Sequence, residues 1–268
     1  MSFTVSAIYI YPVKSLGGFS VTESTITTRG FEYDRRWMLV DKKGKFMTQR
    51  ELHSMALLQT SITPKGLYIY HKQNPDKNIL IPFLSSALKI KQVQVWEDVC
   101  EAWVYDEIIN KWFSEILKID CELVYMPDET NRLVDKDYSK DNEITSFSDG
   151  YPFLIIGQSS LDDLNSKLSQ PVLIDRFRPN IVFTSGEPYA EDNWQSFTIN
   201  EIDFFGVKTC SRCVVTTIDQ QTMNAGKEPL KTLATYRSAN NKIKFGINLL
   251  HKGTGKIKVG EKIIVHSG

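Results

Sequence analysis

A chain of 268 residues, 41% hydrophobic and 24% charged, has room for a sizeable core in two domains or one large all-β domain, and reads as an ordinary soluble globular protein. Its 32 Lys+Arg balance 32 Asp+Glu, which excludes a nonspecific grip on nucleic acid or anionic membrane while leaving local basic pockets open. Four cysteines are too few for a disulfide framework, and residues 1–13 have neither a basic leader nor a long apolar run, so the expected location is cytoplasmic, without a membrane span.

Residues 2–12 alternate weakly through Phe3, Val5, Ile8 and Ile10 and break at Pro12 and Gly17-Gly18, which predicts a strand running into a tight loop. Lys14 and Ser15 then lie at a strand end beside glycines, where an ammonium, a hydroxyl and backbone amides meet either solvent or an anionic group. A Thr-rich, strand-like stretch follows over 19–28. Residues 37–40, a turn around Gly44 and residues 46–48 give a hairpin pattern. Alternation sends Arg35 and Arg36, just ahead of it, to opposite faces. If one points inward, its partner is Asp34, Asp41 or a phosphate.

Short β-like runs at 67–70, 79–83 and 90–96 carry no Gly-rich phosphate loop. Between 106 and 119 the period changes: Ile108, Ile109, Trp112, Phe113, Ile116 and Leu117 fall at helical spacing, which predicts an amphipathic helix with core aromatics. Residues 121–125 return to strand, with Cys121 as an inert buried thiol. The polar, weakly periodic stretch 126–146 marks a connecting loop or domain boundary. Asp149-Gly150 gives a turn and 152–156 a buried strand. A helix then begins at Ser159 or Ser160, each with an Asp three residues on as a capping pair, and runs over Leu161, Leu164 and Leu168. Arg176 and Arg178 alternate with Phe177 ahead of Pro179, which puts both on one face of an extended segment. Two like charges on one face cost free energy unless an anion sits between them.

The stretch 209–219, T-C-S-R-C-V-V-T-T-I-D, sets two thiols three residues apart with an arginine between them. Cysteine is a ligand or nucleophile only as thiolate, and a guanidinium nearby favours that state, so Cys213 reads as a poised thiol. The β-branched run 214–218 predicts that the motif sits where a loop enters a strand. As half of a structural zinc site the pair lacks a partner pair: Cys100 and Cys121 are isolated, and His53, His71, His251 and His266 have no ligand spacing. A thioredoxin-like dithiol normally opens a helix, and here β-branched residues follow. Residues 227–236 predict a short helix with Pro229 in its first turn, and the tail is strand-like with Gly at its turns.

Six segments, V-S-A-I-Y-I-Y-P-V-K-S from 5, Y-D-R-R-W-M-L-V from 33, F-S-D-G-Y-P-F-L-I-I from 147, R-F-R-P-N-I-V from 176, Y-A-E-D-N-W from 189 and C-S-R-C-V-V-T-T-I-D from 210, together resemble the MOSC-domain proteins with an N-terminal MOSC region. This is the family of the amidoxime-reducing components and their bacterial homologues. The resemblance implies an α+β, mostly β fold: a C-terminal MOSC β-barrel over 126–268 and an N-terminal α/β companion over 1–125. It also implies a molybdenum cofactor (Mo-molybdopterin, one pyranopterin dithiolene) ligated by the second cysteine of C-x-R-C, here Cys213. Contacts to its anionic end fall on Lys14, Ser15, Arg35, Arg178 and Asn180, with Ser211 and Arg212 beside the ligand. The loop Asp149-Gly150-Tyr151 also approaches the cofactor; animal members carry Thr-Ser at Gly150-Tyr151, so contacts there are expected from backbone amides. Since Lys14, Ser15 and Arg35 must reach the site, the first strands are expected to pack against the C-terminal half.

The activity the resemblance implies is reduction of small N-hydroxylated compounds, such as amidoximes to amidines, with Cys213 as the catalytic metal ligand and water or Asp149 relaying protons. Two other readings stay open: a carrier or storage protein for the cofactor, and a sulfur-carrying module with a persulfide on Cys210 or Cys213. No four-thiolate cluster set and no G-x-G-x-x-G between strand and helix is present. Neither the targeting and membrane segment of animal members nor the ferredoxin domain of some bacterial ones is found within the 268 residues. Electrons are therefore expected from a separate ferredoxin-like or haem protein with its reductase.

Overall fold

The computed structural model describes residues 2–83, 89–139 and 141–266. Strand β1 (Phe3–Ile10) opens the chain. Its inward residues are Val5, Ile8 and Ile10, a spacing that strict alternation does not give; a β-bulge between Val5 and Ala7 shifts the register by one and restores the inward face. After the tight loop come β2 (Trp37–Val40), β3 (Lys89–Val95), β4 (Asp98–Val104), α1 (Glu107–Leu117) and β5 (Glu122–Tyr125). The four strands pair antiparallel in the order β2-β5-β4-β3. A further antiparallel sheet, Leu58–Thr63, Gly66–His71 and Asn74–Ile81, lies between β2 and β3 in sequence; its first strand is not evident in the sequence pattern.

Helix α1 forms because Asp106 accepts a hydrogen bond from Ile109 N at 3.0 Å, and it stops where Lys118 turns left-handed at φ 57°. It buries Ile109, Phe113 and Leu117, whereas Ile108 is 80% exposed. Phe113 is fully buried against the residues around Trp37, Leu39, Leu67 and Leu123. Phe113→Ala is therefore expected to lower unfolding stability by about 3–5 kcal/mol, read from denaturant unfolding.

The second half supplies β6 (Phe153–Gly157), α2 (Gln158–Ser166), β7 (Ile181–Thr184), β8 (Ser196–Ile199), β9 (Ile202–Ser211), α3 (Leu230–Tyr236), β10 (Lys242–Lys252) and β11 (Lys262–His266). With β1 these strands close into a seven-stranded barrel, β6-β7-β1-β11-β8-β9-β10 and back to β6. An odd number of strands cannot close with antiparallel pairs alone. The one parallel pair is β6–β7, and α2 makes the crossover such a pair needs. The barrel core is aromatic, with Phe153, Phe183, Phe197 and Phe204 all buried and Phe197 stacked on Phe204 at 5.3 Å.

Helix α2 starts at Gln158, and neither Ser159 nor Ser160 caps it. The fully buried Glu191 takes that place: its carboxylate accepts from Gly157 N at 3.1 Å and from the Ser160 hydroxyl at 2.9 Å. The two halves meet along a seam. Across it Gln49 and Gln220 exchange side-chain amide hydrogen bonds of 3.1 and 2.9 Å.

Candidate functional site

The loop after β1 is held by Lys14 N donating to Trp37 O at 2.8 Å. Lys14 is only 5% exposed, and its ammonium donates to Phe147 O at 2.9 Å and Asp149 Oδ1 at 2.6 Å. Burial pushes its pKa down, and Asp149 pulls against that. Ser15 follows in a left-handed conformation, φ 66°.

Arg35, φ 50°, turns in to the cavity while Arg36, equally buried, lies over Tyr125 and pairs with Asp128 at 2.7 Å. The inward guanidinium bonds Asp34 at 2.5 Å and the Arg178 carbonyl at 3.1 Å. Both Arg35 and Arg178 stack on Tyr11, with guanidinium carbons 4.5 and 4.3 Å from the ring centroid. Arg178 donates to Leu16 O at 2.6 Å, and no carboxylate among the described residues forms an ion pair with it. Burial, followed by the Arg35 charge, pushes Arg178 down to about 10. It is a desolvated cation in want of an anion.

Arg176 and Arg178 do reach the same cavity, but not along an extended segment. Residues Ile174–Arg176 form a 3-10 turn, and Arg178 is left-handed at φ 55° ahead of Pro179, which disfavours the right-handed helical region there. Arg176 is satisfied by Asp219 at 2.7 Å. Asn180, buried, accepts from Leu154 N and donates to Tyr9 O, each at 3.3 Å, tying β6 to β1.

The two-cysteine motif lies where a strand ends, not where one begins. Strand β9 carries Cys210 and Ser211, Arg212 N is held by Ile243 O at 2.8 Å, and Val214–Thr217 is a 3-10 turn. The β-branched residues take this form because the threonine hydroxyls bond back to local carbonyls: Thr216 to Cys213 O at 2.9 Å and Thr217 to Val214 O at 2.8 Å. Arg212 donates to Phe245 O and Phe177 O, at 2.9 and 3.0 Å, so among the described residues its hydrogen bonds go to carbonyls rather than to the Cys213 sulfur. Its remaining Nη2 is buried without a partner.

All ten residues singled out in the sequence, Lys14, Ser15, Arg35, Gly150, Tyr151, Arg178, Asn180, Ser211, Arg212 and Cys213, line one cavity of about 560 Å³, a size typical of small-molecule sites. Its wall also includes Phe46, Arg50, Trp96, Asp149, Arg176, Lys208, Cys210 and Lys242. Eight basic residues (Lys14, Arg35, Arg50, Arg176, Arg178, Lys208, Arg212 and Lys242) thus face one acidic residue, Asp149, in a chain of zero net charge. Trp96 was not foreseen. It sits left-handed, φ 56°, at the tip of the β3–β4 hairpin and donates its indole N–H to Asp149 at 3.2 Å, with Arg50 over its ring at 4.5 Å. A bulky residue at positive φ in a two-residue turn was the signal available. Lys208 and Lys242 were equally unmarked.

Cys100 and Cys121 lie outside this wall, and burial pushes both thiols up to about 11. At pH 8 roughly a thousandth of each is thiolate. Iodoacetamide on the native protein is expected to label Cys213 and spare Cys100 and Cys121 until denaturant is added, as read by peptide mass spectrometry.

Among the described residues an orphaned guanidinium nitrogen, a partly buried cation without a carboxylate, and a thiol on one basic wall fit a group that is anionic at one end and takes a sulfur ligand at the other. Comparison with known proteins agrees in kind. The model of the MOSC N-terminal beta barrel domain matches residues 2–120 and that of the MOSC domain residues 142–264. The chain is 35% identical over 264 residues to the molybdenum cofactor sulfurase of Oryza sativa subsp. japonica, covering 91% of this chain and 32% of that protein. It is 31% identical over 279 residues to mitochondrial amidoxime-reducing component 1 of Mus musculus, covering 97% and 81%, and 31% identical over 280 residues to that of Homo sapiens, covering 97% and 82%. It therefore spans about a third of the length of the sulfurase and about four-fifths of the amidoxime-reducing components. Among the described residues no helix is long and apolar enough to cross a membrane.

Proposed function

The chain belongs to the MOSC-domain family with an N-terminal MOSC region, and from that premise we propose that its basic cavity holds a molybdenum cofactor and reduces N-hydroxylated compounds, amidoximes to amidines among them. The observation that carries this reading is the convergence on one cavity of Cys213 and the partly buried Arg178, which forms no ion pair with a carboxylate among the described residues. The near full-length match to amidoxime-reducing components, against a one-third match to the sulfurase, supports a reductase.

In this reading Cys213 ligates the metal. Lys14, Ser15, Arg35, Arg178 and Asn180 hold the anionic end, while Ser211, Arg212 and the backbone at Gly150-Tyr151 flank the ligand. When bound, the cofactor supplies a metal centre able to deliver two electrons to an N–O bond. Amidoxime plus two electrons and two protons gives amidine plus water. Asp149, 74% exposed yet bonded to the buried Lys14, is placed to pass protons from solvent to the cavity wall, directly or through water. The electrons come from a separate ferredoxin-like or haem protein and its reductase, and the compartment is the cytoplasm. Residues 1–125 and 126–268 form the two units, β1 being shared with the second.

The test is purified, cofactor-loaded protein with reduced viologen and benzamidoxime. Benzamidine is expected, and its absence with fully loaded protein overturns the reading. NADH alone is expected to give no turnover. With a protein donor the rate should fall as salt is added, since a chain of zero net charge must dock by a local patch.

A second reading follows from the sulfurase match and from Cys210 and Cys213 sharing the cavity: a module carrying persulfide on one of them. A mass gain of one sulfur, reversed by dithiothreitol and unaccompanied by amidoxime turnover, would favour it. Tight cofactor retention with neither activity would favour a carrier.

A further inference from the structure

The cofactor-holding residues leave two cations of the wall over. Lys14, Arg35, Arg178 and Arg212 face the proposed cofactor, Arg176 is paired with Asp219, and Arg50 lies over Trp96. Lys208 on β9 and Lys242 on β10 remain, and no carboxylate among the described residues forms an ion pair with either. Lys244 shares a face of β10 with Lys242, opposes Ser211 in the β9–β10 register and donates to its hydroxyl at 2.8 Å; it too forms no ion pair with a carboxylate among the described residues. Burial, then the charges of Lys242 and Lys208, push Lys244 down, so Lys244 lies within reach of both ammonium groups. Like charges gathered without counter-charge oppose folding and draw an anion to the place where they meet.

Lys208 is also held in position. Its ammonium is 4.1 Å from the centroid of Tyr138 and 5.0 Å from that of Tyr151, which itself lines the cavity. A lysine seated on two rings loses less freedom when it binds than one waving in solvent. Lys208 lies on β9 two residues before Cys210, and Lys244 opposes Ser211 across the β9–β10 pairing.

We propose that Lys208, Lys242 and Lys244 form an oxyanion-binding subsite for substrate, so that the preferred N-hydroxylated compounds carry a carboxylate or phosphate substituent. This rests on the reductase reading above. The experiment compares para-carboxybenzamidoxime with benzamidoxime, using cofactor-loaded protein and reduced viologen, and measures binding of para-carboxybenzamidine to the same protein by calorimetry. At low ionic strength kcat/KM is expected to favour the carboxylated substrate by about tenfold, chiefly through KM, with the advantage shrinking as salt is added. Lys208→Gln combined with Lys242→Gln should erase most of that ratio and weaken calorimetric binding in parallel. A compound with a phosphonate in place of the carboxylate separates a preference for phosphate from one for carboxylate.

A wild-type ratio near one, unchanged in the double variant, overturns the subsite. Lysine-dependent binding of the carboxylated probe with no reduction of either amidoxime keeps the subsite and removes the reductase reading. If the double variant slows turnover only when a protein donor replaces viologen, the lysines receive an acidic protein, and the proposal is wrong.

Discussion

Cys213→Ala is expected to abolish amidoxime reduction, by more than about a hundredfold, while leaving the fold intact. The structure separates these effects. Cys213 is half-buried at the start of the Val214–Thr217 turn, and what the turn takes from it is its backbone carbonyl, which accepts from Thr216. Alanine keeps that carbonyl, so only the sulfur is lost. Cys210 lines the same cavity but packs against the apolar group that includes Leu154 and Phe177, and burial pushes its thiol up. Cys210→Ser should therefore be the milder change. Activity assays and unfolding curves on both variants check this; an inactive Cys210→Ser beside a fully active Cys213→Ala would reverse the assignment.

Arg178→Ala is the second large effect, and it should appear in cofactor content more than in stability. Charge-assisted bonds to an anion are worth roughly 1.5–3 kcal/mol each, enough to lower occupancy by about tenfold or more. Without the cofactor Arg178 does little for the fold beyond its bond to Leu16 O and its stack on Tyr11, and it lies against the like charge of Arg35. The apoprotein melting temperature should therefore move little. Lys14→Ala is a less clean test, because it also strips the Phe147 carbonyl of its ammonium donor. Pterin content and thermal unfolding of the Arg178 variant decide the matter: lost apoprotein stability with unchanged occupancy means a structural guanidinium.

Much of this was legible in the residues because it depends on local chemistry. The period of α1, the break at Gly17-Gly18 and the divergence of Arg35 and Arg36 are short-range matters, and each is found as the pattern implies. Charge alone marked Lys14, the pair Arg35 and Arg36 and the pair Arg176 and Arg178, whereas Asn180, Ser211, Gly150 and Tyr151 came only through family resemblance. What escaped depends on partners far away in sequence or on competition between forces. Residues 214–217 have strand propensity, yet threonine hydroxyl bonds to nearby carbonyls hold them in a 3-10 turn. The cap of α2 is Glu191, over thirty residues downstream. Trp96 reaches the cavity because the β3–β4 hairpin folds toward it, and Lys208 and Lys242 because β9 and β10, distant in sequence, pair along its wall.

Metal and pterin analysis decides whether this cavity holds a molybdenum cofactor through Cys213. Protein purified from a host that makes the cofactor should contain molybdenum and pterin in about equal amounts, near one per chain when fully loaded. X-ray absorption should show a molybdenum–sulfur contact that is lost in Cys213→Ala. Wild-type protein from such a host that carries neither molybdenum nor pterin, or that keeps the same sulfur coordination after Cys213→Ala, would contradict the account.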